Sequence, residues 1–160
     1  MLLLAWILFM VILTYIFSKW ISYSVNPNKN VTSKISKSGE NVILLKANRY
    51  NHYVVSGKIN GTKVEFLVDT GASSVSVPGH IAKAIGLEFG RSITVLTASG
   101  QALAYTTDIK TLSIGDIELG EIRATIIPAD TSDKILLGMS ALKKFSFTQE
   151  NGVLTLQLRK

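Results

Sequence analysis

The chain has no cysteine and only two histidines among its 160 residues. The absence of cysteine excludes disulfide bonds and thiolate metal ligands. His52 and His80 are far apart in the sequence, and no paired carboxylate motif lies beside either, so a zinc site is not indicated. We expect both histidines at the surface or in turns. No Gly-x-Ser-x-Gly motif is present, which argues against a serine hydrolase of that type.

Acidic residues are the scarcer charge, with 11 Asp and Glu against 17 Lys and Arg and a net charge of +6. The basic residues form no dense cluster alternating with aromatics, so nucleic acid is not an expected partner. Four lysines precede residue 42, where Glu40 is the only acid; they are Lys19, Lys29, Lys34 and Lys37. Attraction to anionic lipid is a simpler role to expect for these four side chains.

The longest apolar run stands at the start of the sequence. Residues 1–17 carry no charge, and Lys19 is the only charged residue among the first 21. About 20 apolar residues suffice to cross a hydrocarbon core. No Lys or Arg precedes the run and no small-x-small cleavage site follows it, which favours an uncleaved anchor over a signal peptide. We therefore predict a transmembrane anchor over residues 1–21, with Trp6 and Trp20 as interface anchors.

A change of composition follows this run. Residues 22–41 are rich in Ser, Asn and Lys and have too few apolar side chains to bury, so they predict a flexible tether. Residues 42–160 are enough for one hydrophobic core and predict a single domain.

Short β-rich runs alternate with turn residues throughout that domain. Residues 53–59 and 62–68 flank Asn60-Gly61, which is a strong signal for a two-residue hairpin. The other predicted elements are hairpin turns at Gly115-Asp116 and Asn151-Gly152 and a short helix over residues 78–85. The layout is almost entirely β.

The most informative segment is residues 66–73, which read Phe-Leu-Val-Asp-Thr-Gly-Ala-Ser. Asp69 directly follows Val68 at the end of an apolar strand, where an ionised acid is costly unless it is paired or shares a proton. Gly71 allows a tight turn that brings backbone N–H groups close to the carboxylate. The pattern predicts a chemical role for Asp69.

This segment resembles the Asp-Thr-Gly active-site loop of aspartic proteases, and Ala72 matches its retroviral form. Residues 135–138, Ile-Leu-Leu-Gly before a short helix over 139–144, resemble the strand end that follows the flap in retropepsins. Gly138 is expected to permit close approach beside the Asp69 loop. The resemblance is to retropepsin-like aspartic proteases of the bacterial membrane-anchored type, and it covers about residues 53–158. It implies an all-β fold: a closed β-barrel domain with one short helix, after the transmembrane helix.

The active-site loop occurs only once, so the resemblance implies a homodimer in which two Asp69 carboxylates face one water. Two carboxylates so close share one proton; one activates the water and the other protonates the carbonyl oxygen. Thr70 would hydrogen-bond across the dimer, or alternatively satisfy its own turn. Gly71 and Ala72 complete the loop, with Gly71 offering a close backbone approach to the carboxylates.

The resemblance also assigns a flap to Ala98, Ser99 and Gly100, which would close over the substrate. The alternative is an ordinary solvent-exposed hairpin, because this tip has one glycine rather than several. Three serines after the loop are expected to cap its turn; they are Ser73, Ser74 and Ser76.

These features together imply a membrane-anchored, homodimeric aspartic endopeptidase that acts on peptides or proteins and needs no metal or cofactor. The alternative is a catalytically inactive retropepsin-like module that binds peptides or proteins at the membrane. The resemblance implies a single-pass inner-membrane protein with a periplasmic protease domain. The lysines after the helix, taken alone, favour the cytoplasmic side.

Overall fold

The computed structural model describes residues 2–35, 41–98 and 100–159. A long helix comes first, and strands with two short helices follow it. The elements are α1 (Leu2–Val25), β1 (Lys34–Ile35), β2 (Asn41–Lys46), β3 (Val54–Ile59), β4 (Thr62–Val68), β5 (Val75–Pro78), α2 (Gly79–Ala84), β6 (Ser92–Thr97), β7 (Gly100–Ile109), β8 (Leu112–Ile114), β9 (Ile117–Leu119), β10 (Ile122–Ile127), β11 (Ile135–Leu137), α3 (Met139–Leu142), β12 (Phe145–Glu150) and β13 (Val153–Leu158).

Helix α1 is long and apolar enough to cross a membrane. Its 24 residues give a length of ~36 Å, against a hydrocarbon thickness of ~30 Å. Its large apolar side chains from Leu3 to Ile21 are exposed rather than packed on the domain. The helix therefore supplies no part of the domain core, and its apolar surface is free to face lipid.

The strands form two sheets. One has four strands in the order β1-β2-β13-β12, and the other has nine in the order β6-β7-β10-β5-β11-β4-β3-β8-β9. In the larger sheet β4 and β11 run parallel, as do β5 and β10, while β11 and β5 are antiparallel. Strands distant in sequence thus lie side by side at the middle of the sheet, where the Asp69 loop begins.

The predicted hairpins are present. Asn60 (φ +48°) and Gly61 (φ +83°) join β3 to β4, and Asn151 (φ +48°) and Gly152 (φ +74°) join β12 to β13. Positive φ at both central residues is the backbone that Asn-Gly favours in two-residue hairpins. The third predicted turn, Gly115-Asp116, joins β8 to β9, so all three hairpin predictions are confirmed.

One hydrophobic core lies under both sheets. Ile43, Leu45 and Leu156 enter it from the four-stranded sheet, and Phe66 and Val75 enter it from the nine-stranded sheet, all fully buried. The expected mostly-β, retropepsin-like fold after an apolar helix is confirmed. The short helices predicted over residues 78–85 and 139–144 are present as α2 and α3, and each packs on strands of the larger sheet.

The segment after α1 packs on the domain through two buried asparagines, Asn26 and Asn28. Asn28 Nδ2 donates hydrogen bonds to the carbonyl oxygens of Lys46 (2.9 Å) and Val54 (2.7 Å), and its Oδ1 accepts from the N–H of Lys46 (2.7 Å). Because Lys46 belongs to the four-stranded sheet and Val54 to the nine-stranded sheet, this side chain joins both sheets. The sequence did not predict these contacts within the proposed 22–41 tether, of which residues 36–40 lie outside the described residues.

Candidate active site

Asp69 stands where β4 ends beside β11. Val68 pairs with Leu137 in the parallel register of these strands, and the N–H of Asp69 donates to the carbonyl oxygen of Leu137 at 3.2 Å. Parallel neighbours end at the same edge of a sheet, so Asp69 and Gly138 leave their strands together. The position of the acid is therefore set by long-range strand pairing as well as by its own turn.

The loop folds back on the carboxylate. The N–H of Gly71 donates to Asp69 Oδ1 at 2.8 Å, while Asp69 Oδ2 accepts no hydrogen bond from the described residues. An added Cβ on Gly71 would lie 3.2 Å from Oδ1, so a glycine here lets the backbone approach the acid. Asp69 is half-buried. One of its oxygens is thus held in place and the other is left free to bind.

Thr70 is exposed at the tip of this loop. Its hydroxyl makes no hydrogen bond within the described part of the chain. The alternative that Thr70 satisfies its own turn therefore has no hydrogen bond to support it. Ala72, the last loop residue assigned, is half-buried, and its N–H donates to the carbonyl oxygen of Asp69 at 3.4 Å.

Gly138 packs directly against the segment that follows the loop. An added Cβ would lie 2.1 Å from the carbonyl oxygen of Ser74 and 2.7 Å from that of Ala72, both far inside van der Waals contact. The next N–H, of Met139, donates to the Ala72 carbonyl oxygen at 2.8 Å. The predicted close approach of Gly138 beside the loop is confirmed.

The serines after the loop do not cap its turn, which corrects that expectation. The hydroxyls of Ser74 and Thr125 are hydrogen bonded to each other, and Ser73 is exposed. Ser76 lies within β5 and is buried, and its Oγ has no hydrogen-bond partner among the described residues. The turn is closed by the Asp69 carboxylate instead, because that acceptor is already within reach of a backbone N–H.

Ser140 is a supporting residue that the sequence did not reveal. Its Oγ accepts a hydrogen bond from the N–H of Val75 at 2.9 Å, which ties the start of α3 to the start of β5. A serine soon after a strand-ending glycine carries no sequence signal for such a contact. Together with Gly138 it holds the Asp69 loop from behind.

The predicted flap lies on the β6–β7 hairpin. From Gly100 to Ala104, β7 pairs with β6 alone; Tyr105 pairs with both β6 and β10, and Thr106 to Ile109 pair with β10, so the hairpin tip extends beyond β10. Gly100 has φ +111° and its carbonyl oxygen accepts a hydrogen bond from Thr97 Oγ1 at 2.8 Å. Ala98 is exposed, and Ser99 lies outside the described residues.

This projecting hairpin carries apolar side chains that nothing in the described chain covers. Leu96 is 84% exposed and Leu103 is 56% exposed. Thr94 pairs with Leu103 and Leu96 with Gln101, so both leucines are on one face of the hairpin. An exposed apolar face on a projecting hairpin suits contact with a bound chain.

Metal ligands do not gather near the loop. Among residues 2–35, 41–98 and 100–159, no group of three or more His, Cys, Asp or Glu side chains could hold an ion. His52 and His80 are both exposed, as expected. The reactive group that this site provides is the Asp69 carboxylate.

Comparisons with known proteins agree with this geometry. A family model described as gag-polyprotein putative aspartyl protease matches residues 55–144, which is more than half of the chain. A retropepsin-like aspartic protease from Rickettsia conorii has a similar structure, with a TM-score of 0.63 and 27% identity over 81% of this chain and 96% of that one.

Two proteins of unassigned function are similar in sequence. An uncharacterized protein encoded in the cobV 5′ region of a Sinorhizobium species is 32% identical over 69% of this chain and 49% of its own length. The uncharacterized protein RP867 of Rickettsia prowazekii is 31% identical over 59% of this chain and 41% of its own length. The chain thus spans about half the length of the curated relatives it matches, or less.

Proposed function

This chain belongs to the gag-polyprotein putative aspartyl protease family and has the retropepsin-like fold, and we propose that it is an aspartic endopeptidase working as a homodimer. The observation that carries the proposal is Asp69 itself. It is a half-buried carboxylate at a strand end, with Oδ1 bound by the N–H of Gly71 and Oδ2 without a partner in the described residues.

Two copies are proposed because one described loop supplies one such carboxylate. With two Asp69 side chains around one water, the pair holds a single proton. The ionised acid takes a proton from the water while the water oxygen attacks the peptide carbonyl carbon, and the protonated acid gives its proton to the carbonyl oxygen. The exposed hydroxyl of Thr70, which has no hydrogen-bond partner within the described residues, is proposed to bond to the partner loop and align the two acids.

The β6–β7 hairpin is proposed to cover the substrate. Its tip, Ala98 to Gly100, would close over a peptide lying on the Asp69 loops, and exposed Leu96 and Leu103 would contact apolar side chains of that peptide. Closure of this kind excludes water from the reacting bond.

The proposed organisation keeps the anchor at residues 1–21, the linking segment at 22–41 and the protease domain at 42–160. Helix α1 is proposed to span the inner membrane once, with the domain on the periplasmic side. Anchoring confines two copies to the membrane plane and raises their effective concentration for pairing.

Cleavage of a peptide library by the full chain in detergent micelles tests the proposal. We expect hydrolysis by the wild-type chain and loss of it in Asp69→Asn, which keeps an acceptor for the Gly71 N–H but cannot ionise. Asp108→Asn, at an exposed carboxylate of β7, is the matched control and should retain activity.

Peptide binding measured beside cleavage separates the two candidate functions. Saturable binding by a folded wild-type chain that cleaves nothing would favour the inactive binding module. Undiminished cleavage by Asp69→Asn would remove Asp69 from the mechanism.

A further inference from the structure

Two adjoining hollows lie at the junction between α1 and the domain. Lys29 and Glu65 line both hollows. The first hollow lies against the last turns of α1, with Ser22 in its wall. The second, of about 690 Å³, extends along the β3–β4 hairpin to Lys58 and Lys63, and we call it the basic hollow. A continuous concave surface thus leads from the helix end to three lysines.

The three lysines of the basic hollow make no ion pair with any described carboxylate. Lys58 and Lys63 stand directly opposite each other across β3 and β4, an arrangement that like charges make unfavourable. Lys29 Nζ donates a hydrogen bond to the hydroxyl of Ser22, which is uncharged. An anion in this hollow would relieve the repulsion.

Glu65 is the one carboxylate among the described residues lining the basic hollow, and Asp116 and Glu118 lie on the adjoining β8–β9 hairpin. Asn26 Nδ2 donates to Glu65 Oε1 at 2.7 Å, and Asp116 Oδ2 accepts from the N–H of Ser33 at 3.1 Å. Three lysines and one carboxylate, Glu65, therefore line the basic hollow, and its lining has a net positive charge.

The domain is held against the end of α1 on another side as well. Asn48 Nδ2 donates to the carbonyl oxygen of Val25 at 3.0 Å, and the N–H of Arg49 donates to that of Ser24 at 3.4 Å. The Arg49 guanidinium lies 4.6 Å from the centre of the Tyr50 ring, and both residues are exposed. A tyrosine and a basic side chain at a helix end are typical of the membrane–water interface.

Distances along the chain keep the basic hollow close to the end of α1. Lys29 is four residues beyond Val25, the end of α1. Lys63 is two residues from Glu65 along β4, which corresponds to ~7 Å. The headgroup layer is ~5–7 Å thick and the Debye length at physiological salt is ~8 Å, lengths comparable with these separations of the lysines from the helix end.

We propose that the basic hollow binds the phosphate groups of anionic phospholipids and so holds the domain against the membrane in one orientation. The inference rests on the proposed membrane anchoring by α1 and does not depend on catalysis. Charge complementarity and continuity with the helix end select lipid over a soluble anion, because lipid phosphate is held near the end of a membrane-spanning helix at high local concentration.

The test uses the full chain in lipid nanodiscs with a single fluorophore. The natural chain has no cysteine, so Thr32→Cys, at an exposed residue lining the hollow, gives a unique labelling site. Lipids spin-labelled at the headgroup should quench this probe strongly in discs containing phosphatidylglycerol and weakly in discs of phosphatidylcholine alone. The difference should vanish at high salt. A probe at His80→Cys, on the exposed surface of α2, should show no such difference.

Charge reversal supplies the matched comparison. Lys58→Glu with Lys63→Glu should lower the docked population by at least about fivefold for each lysine. Lys83→Glu with Lys110→Glu, which changes the net charge equally at exposed sites elsewhere, should not lower it. Equal quenching in neutral and anionic discs, or equal loss with both pairs of substitutions, would overturn the proposal. Resistance to alkaline extraction measures membrane insertion of α1 separately, and peptide hydrolysis is assayed on its own. A failure of anchoring or of catalysis can therefore be told apart from a failure of lipid binding by the basic hollow.

Discussion

The N–H of Asp69 donates to the carbonyl oxygen of Leu137, so the candidate catalytic acid is attached to the last residue of β11, directly before Gly138. Gly138 in turn touches the backbone of Ser74, on the far side of the Asp69 loop. The Asp69 loop is thus held by a backbone segment that is distant in sequence. Placement by rigid elements is what a catalytic group needs, because small displacements of a reacting atom cost much of the rate.

Gly138→Ala should destabilise the domain by about 3 kcal/mol or more and abolish peptide hydrolysis. The new Cβ would meet two backbone carbonyl oxygens, which cannot move without displacing the Asp69 loop. Urea unfolding followed by circular dichroism checks the stability. Gly120→Ala, where nothing lies within 4 Å of the added Cβ, should be close to neutral. A well-folded, fully active Gly138→Ala chain would contradict the role given to this contact.

Asn28→Ala should lower the free energy of unfolding by about 2 to 4 kcal/mol, because it leaves buried backbone groups of two sheets without partners. The lost bonds are those to the N–H and carbonyl oxygen of Lys46 and to the carbonyl oxygen of Val54. Hydrogen exchange should show the loss of amide protection first at β2 and β3. Asn30→Ala, at an exposed position, serves as control. Equal stability of the two variants would show that this side chain does not secure the segment.

Specific activity should fall on dilution if two copies build the site. In the range where most chains are monomeric, a tenfold dilution should lower it about tenfold, since the dimer fraction follows the concentration. Thr70→Val should shift this loss to higher protein concentration by removing the hydroxyl, and Thr70→Ser should restore the wild-type dependence. Constant specific activity from a chain that sediments as a monomer would exclude the dimeric mechanism.

The rate of hydrolysis should have a bell-shaped dependence on pH. If two Asp69 carboxylates face each other as proposed, they are competent only with one shared proton, so the rate should fall about tenfold per pH unit beyond each limb. Circular dichroism over the same range confirms that the fold persists. A peptide analogue with a central hydroxyl in place of the attacking water should inhibit strongly, because it imitates the tetrahedral intermediate. Inhibition by a chelator or a serine-directed reagent, without inhibition by this analogue, would favour another class of enzyme.

The local features of this chain were predictable from the sequence alone. Asn60-Gly61 and Asn151-Gly152 determine their hairpins because both residues accept positive φ without help from distant contacts. The apolar character of α1 follows from composition over one continuous run. The strand before Asp69 and the glycine after it likewise depend on neighbours in sequence, which is why the candidate site could be recognised from residues 66–73.

Only the tertiary structure decided what those local pieces touch. Asn28 reads as part of a polar linker, yet it is buried because a side-chain amide can satisfy the backbone groups of Lys46 and Val54 together. Ser76 reads as a turn residue, yet it lies in a buried strand whose neighbours come from β10 and β11. Such contacts depend on strand pairing between segments far apart in the chain. The sequence determined which residues could turn, span or carry a charge, and the packing of one shared core decided which of them meet.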